Sequence, residues 1–138
     1  MLDAIKRIVE AEALASGSPK PPEFTPLDRY QLVRNDPDAT ERVRAAFEAH
    51  FGEQRVVAIP PISASEDFGA FGSQWDVPSV FWTVGGTDPD TYHRAKDAGR
   101  VSELPTNHNP HFAPVLHPTL QTGVETLMVA AGAWLGTA

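Results

Sequence analysis

Apolar residues recur along this chain in two rhythms, one at helical spacing and one continuous. Leu2, Ile5, Ile8, Val9 and Ala13 share one face, with Lys6, Arg7, Glu10 and Glu12 largely away from it. That spacing predicts an amphipathic helix over 2–15, ended by Gly17 in a left-handed cap. Pro19 to Pro26 excludes a helix and leads into Tyr30 to Arg34, an extended run that reads as an edge strand. At Asn35-Asp36-Pro37 the rhythm restarts. Asp36 can accept from the free amides of a new helix, and Pro37 suits the first helical position because it has no amide to satisfy. Val43, Ala46, Phe47 and Phe51 then mark the buried side of a helix that Gly52 terminates.

The next two apolar runs are short and unbroken. Val56 to Ile59 and Ser79 to Val84 lack polar alternation, the pattern of strands buried on both faces. Pro60-Pro61 stops the first and Gly85-Gly86 the second. Between them Ser65 is placed to cap a short helix over 66–75, with Glu66 and Asp67 at the positive end of its dipole. Residues 87 to 116 form a long segment with a helical turn or two around Thr91 to Ala98. Pro118 opens a last helix to Leu135, in which Leu120, Val124, Leu127, Met128, Ala131 and Leu135 stand near helical spacing and are expected in the core.

Strand, short helix, strand and long helix are α/β grammar, for which parallel strands and right-handed crossovers are the default. Two strands buried on both faces do not complete a sheet, because each leaves an edge of unpaired amides and carbonyls. Helix 2–15 and its edge strand have the same deficit. The chain therefore reads as parts of two domains: residues 1–35 as one, and 36–138 as a piece of an α/β domain.

Composition narrows the class. A chain of 138 residues is long enough to bury about two-thirds of its unfolded surface. A net charge of −7 argues against nucleic acid as a partner, since that would need clustered Lys and Arg. No run of about 18 apolar residues offers a membrane span, and no basic segment precedes an apolar one as in a signal peptide. A soluble, cytoplasmic chain is expected. With no cysteine, disulfides, thiolate metal sites and cysteine nucleophiles are excluded within these residues.

Chemistry-bearing residues are few. His108, His111 and His117 cluster before the last helix, two of them within Asn107-His108-Asn109-Pro110-His111-Phe112. Histidine is a common metal ligand, and α/β domains place their sites on loops beyond strand ends. A hydrogen-bonding surface histidine explains the same residues equally well, because His-x-x-His without a carboxylate matches no common metal template. Glu66 and Asp67 are accounted for most simply as helix caps; the sharper account puts them beside a pocket. Gly85-Gly86 supports a tight turn or close approach to a ligand, and lacks the third glycine of a dinucleotide fingerprint. No nucleophile elbow or phosphate loop is present.

Read together, several segments resemble the C-terminal portion of the metal-dependent aminoacylase and amidohydrolase family. That family includes hippurate hydrolases, indole-acetyl-amino-acid hydrolases and zinc carboxypeptidase-like enzymes. The resemblance begins with Ile5 to Ala13 and Asn35-Asp36. It continues through Ser65-Glu66-Asp67-Phe68, Pro78 to Gly85 and His108-Asn109-Pro110-His111-Phe112, and closes with Gly123 and Trp134-Leu135. It covers the whole chain. The most specific part is Ser-Glu-Asp-Phe followed about forty residues later by His-x-Pro-x-Phe.

The resemblance implies a fold, a chemistry and residue roles. Residues 1–35 would be the last helix and edge strand of an α+β lid, which makes the dimer contact in the family. Residues 36–138 would be the C-terminal part of the mostly parallel catalytic sheet domain. Family enzymes use two divalent ions, zinc or manganese, to hydrolyse the amide bond of N-acyl amino acids, with a glutamate as general base. By motif match His108 would be a metal ligand, and Glu66, Asp67 and Gly85 would border the substrate pocket. His111 and His117 take no assigned role. The remaining family ligands, the general base and the lid histidine have no counterpart among these residues. One imidazole does not hold a hydrolytic metal, which needs about three protein ligands. The isolated chain is thus expected to be inactive and to self-associate. The alternative is a self-standing, non-catalytic module that dimerises through residues 1–35.

Overall fold

The computed structural model describes residues 1–64 and 66–136. Two units separate along the chain, Met1–Tyr30 and Gln31–Ala138.

In the first unit, α1 spans Leu2–Ala15. Its end is closed in the way the glycine predicts. Gly17 takes φ 69°, its amide donates to Leu14 O, and Ser18 N donates to Ala13 O at 2.9 Å. Lys6 Nζ stands 5.6 Å from the centre of the Phe24 ring. No residue of α1 is buried, and the apolar side chains Leu2, Ile5, Ile8 and Val9 all lie exposed.

The second unit is built on two packed helices, α2 (Pro37–Phe51) and α5 (Leu116–Leu135). Asp36 starts α2 as expected: its carboxylate accepts from Ala39 N at 2.9 Å, and Gly52 ends the helix at φ 88°. Val43 and Phe47 of α2 and Ala130 of α5 form the buried core, with Phe51, Val56, Val80, Trp82 and Val129 packed around them. The Phe47 and Trp82 rings meet edge to face, with centroids 5.4 Å apart. The expected buried side of α2 is therefore the observed one. Along the chain between these helices come α3 (Gly69–Trp75) and α4 (Pro89–Asp97). Asp88 caps α4 through Thr91 N at 2.8 Å and Thr91 Oγ1 at 2.7 Å. A Schellman turn closes it, with Arg100 N donating to Ala95 O at 2.8 Å and Gly99 at φ 67°.

The expected α/β fold is not what forms. Among the described residues the structure is helical and contains no strand and no sheet. This overturns the parallel-sheet domain expected over 36–138 and the edge strand expected over Tyr30 to Arg34. Residues 56–64 and 77–86 run without helix or ladder. The physical reason is pairing. A continuous apolar run specifies burial on two faces, but a strand exists only when a neighbour's backbone completes its hydrogen bonds. Here Val57 and Ile59 are exposed instead of buried. The 79–84 segment is held by a side chain. Asn35 Nδ2 donates to Phe81 O and Asn35 Oδ1 accepts from Phe81 N, both at 2.8 Å, so one amide group stands in for a neighbouring peptide. Asp36 N adds a bond to Ser79 O at 3.0 Å.

The face that α5 buries also differs from expectation. Gly123, Thr126, Val129, Ala130 and Ala133 point toward the packed side, and only Thr126 and Ala130 are fully buried. Leu120, Val124, Leu127, Met128 and Leu135, the stripe expected in the core, are exposed. Small residues permit close helix approach, so α5 meets α2 with its smaller face and leaves the larger apolar one outward. Among the described residues no helix is long and apolar enough to cross a membrane.

Candidate functional site

The segment 77–86 is the reference line for the candidate residues, because the acidic turn sits against its middle and the histidine loop against its end. Glu66 lies at the approach to α3. Its Oε1 accepts from Asp67 N at 3.0 Å and from Phe68 N at 3.1 Å, so this carboxylate caps the turn that opens the short helix. Asp67 contributes its carbonyl, which accepts from Ala70 N at 2.9 Å. The expected cap, Ser65, lies outside the described residues. The helix itself starts at Gly69, three residues later than expected, because 66–68 are used in the capping turn.

Phe68 fixes this turn in place. Its ring centroid is 5.3 Å from that of Phe81 and 5.7 Å from that of Phe71. Gly69 is buried, and a Cβ built on it would stand 2.7 Å from Leu32 O. Glycine is thus required where the 31–32 backbone crosses the start of α3. A shallow open groove along α3 is lined by Ala70, Phe71, Gln74 and Trp75; none of the proposed site residues borders it.

At the other end of the segment, Gly85-Gly86 meets the chain that follows the histidine loop. Val115 N donates to Gly86 O at 2.9 Å, and Thr119 Oγ1 reaches Gly85 O at 3.4 Å. A Cβ on Gly86 would approach Pro114 Cβ to 3.2 Å and the Phe112 ring to 3.4 Å. Gly86 therefore accommodates the chain's own 112–114 segment, while a Cβ on Gly85 would stand in open space.

The histidine loop is a pair of overlapping turns. Asn109 N donates to Thr106 O, and Phe112 N donates to Asn109 O, each at 3.0 Å. Asn109 Oδ1 also accepts from His111 N at 2.9 Å. His108 sits at the apex with φ 70°, and Asp76 is the other non-glycine residue described at positive φ. A β-carbon in the left-handed region costs energy, and such positions are enriched at functional sites. His108 is exposed. His117 interrupts the first turn of α5 with φ −114° and ψ 131°, ahead of a cis bond to Pro118.

The structure thus joins Phe68, next to Glu66 and Asp67 in the chain, to Phe81, and joins Gly85-Gly86 to 112–119. It does not gather the candidates into one donor set. Among the described residues no three His, Asp or Glu side chains converge to hold a metal ion. Among the described residues His108 thus stands without the two further donors that a hydrolytic metal needs. Sequence reasoning missed Asn35 as the partner of Phe81, although an Asn beside a helix-opening Asp-Pro carries the donor and acceptor needed to mimic a peptide. Scanned against models of known protein families, the chain matches none.

Proposed function

We propose that this chain is the C-terminal segment of a metal-dependent amidohydrolase acting on N-acyl amino acids, and that it is inactive alone. The observation that carries the proposal is the ordered motif pair. Phe68, which follows the acidic pair Glu66-Asp67, packs its ring on Phe81 of the 79–84 segment, and His108 is presented at a left-handed turn whose downstream arm closes on Gly85-Gly86. In this reading His108 supplies one imidazole to a two-metal zinc or manganese site, and the other donors and the general base come from sequence outside these residues. Glu66, Asp67 and Gly85 border the substrate pocket. The assembled enzyme is cytoplasmic and homo-oligomeric. An exposed imidazole held at a strained apex, without the neighbours it would need, is consistent with an incomplete ligand set.

The test is turnover by the purified 138-residue chain with N-benzoylglycine, in the presence of zinc or manganese. No hydrolysis is expected, since loss of the metal's other ligands and of the general base removes the nucleophile and its activation together. Metal-dependent hydrolysis that His108→Ala abolishes would contradict the reading of the chain as an incomplete site.

A further inference from the structure

The outward side of α5 has the form of a helix-pairing seam. Leu120, Val124, Leu127, Ala131 and Trp134 follow one another in steps of four, three, four and three residues, the 3–4 alternation of a coiled-coil stripe, and Met128 flanks it. Leu120 is 59% exposed, Leu127 64% and Met128 69%. Arg42 of α2 lies over the Trp134 ring at 4.9 Å and forms one rim. Gln121 and Glu125 form the other rim, joined to each other at 2.7 Å.

We propose that this face is a homodimer seam, in which α5 pairs antiparallel with α5 of a second copy. Three observations select a second copy as the occupant. The stripe itself bears no charged side chain, although the chain carries a net charge of −7, so two identical faces meet without like-charge repulsion. The stripe is also self-complementary in size: about a twofold axis between Val124 and Leu127, Leu120 falls opposite Ala131 and Val124 opposite Leu127, large against smaller. Finally, the exposed side chains offer on the order of 700 Å² per copy, close to what a stable dimer takes from each partner. Helices paired this way cross at about 20° and lay their side chains into each other's gaps. The seam stands on the α5 surface alone, independently of the amidohydrolase proposal.

The test uses the full chain, which has no native cysteine to interfere. Light scattering at micromolar concentration is expected to give twice the 15.0 kDa chain mass. Leu127→Asp is expected to raise the dimer dissociation constant at least about a hundredfold, by burying a carboxylate in the seam, with helical circular dichroism unchanged. The doubly substituted Leu120→Cys, Ala131→Cys chain is expected to form interchain disulfides on mild oxidation. It decides the matter if Leu127→Asp loses its helicity: crosslinking supports the seam, and its absence overturns it. A monomeric wild type, a dimer indifferent to Leu127→Asp, or crosslinking by Leu120→Cys alone, as parallel pairing would give, also overturns it. So does a wild type that is monomeric until an upstream hydrolase segment covers α5.

Discussion

His108 illustrates how much a single backbone angle adds to a motif. In the sequence it is one of three histidines on a proline-rich loop, and the surface explanation competes evenly with the functional one. The structure puts it at φ 70°, where a β-carbon is unfavourable and glycine is not. If the position were only a turn, glycine would serve better there. His108→Gly is therefore expected to raise stability, by up to about 1 kcal/mol once the looser unfolded chain is counted. Urea unfolding followed by helical circular dichroism measures this; a loss of stability would show that the imidazole itself holds the loop. Asn35 teaches the converse lesson. Its two 2.8 Å bonds to Phe81 do the work of a neighbouring strand, yet its sequence neighbourhood announces only the start of a helix. Residue types announce what they can bond to; which backbone comes within reach is decided by the fold.

At the scale of elements, helices were legible and strands were not. The stop of α1 and both ends of α2 follow from Gly17, Asp36, Pro37 and Gly52, because capping is settled within a few residues of chain; the sequence marks only a turn or two around Thr91 to Ala98, and the Asp88 cap of α4 emerges with the structure. Val56 to Ile59 and Ser79 to Val84 carry the composition of strands, but pairing is a property of two segments, and no second segment pairs with either among the described residues. The last helix shows a subtler failure. Both of its faces are apolar enough to bury, so periodicity identified the helix and pointed to the wrong face. The caps give a prediction with a definite sign. Hydrogen bonds from the Thr91 hydroxyl and amide, and the charge of Arg94, hold the Asp88 carboxyl below its usual range. A carboxyl whose folded value is depressed stabilises above its unfolded value, and that contribution fades as pH falls through the folded one. The α4 cap should therefore persist through the ordinary carboxylate range and be lost only below it. The Thr91 amide chemical shift, followed against pH, should titrate with a midpoint below that of an unpaired aspartate. A midpoint at or above the ordinary value would contradict the cap.

Considered as a whole molecule, the chain carries more apolar surface than its own contacts cover. Val57, Ile59 and Ile62, all outside the α5 seam, are each more than half exposed in the second unit, whose buried core rests on Val43, Phe47 and Ala130. A chain that met its own needs would invert that balance. This surplus, together with a site that offers one imidazole, is the physical content of the claim that the chain works as part of a larger catalytic body. The most direct test supplies the missing part. The upstream segment of a hippurate hydrolase, with that enzyme's own metal ligands and general base, is co-expressed with this chain, and the co-purified pair is assayed on N-benzoylglycine with zinc or manganese. The account predicts metal-dependent hydrolysis by the pair, by neither chain alone, and its loss in His108→Ala. A co-purifying pair that stays inactive, or activity indifferent to His108→Ala, would contradict it.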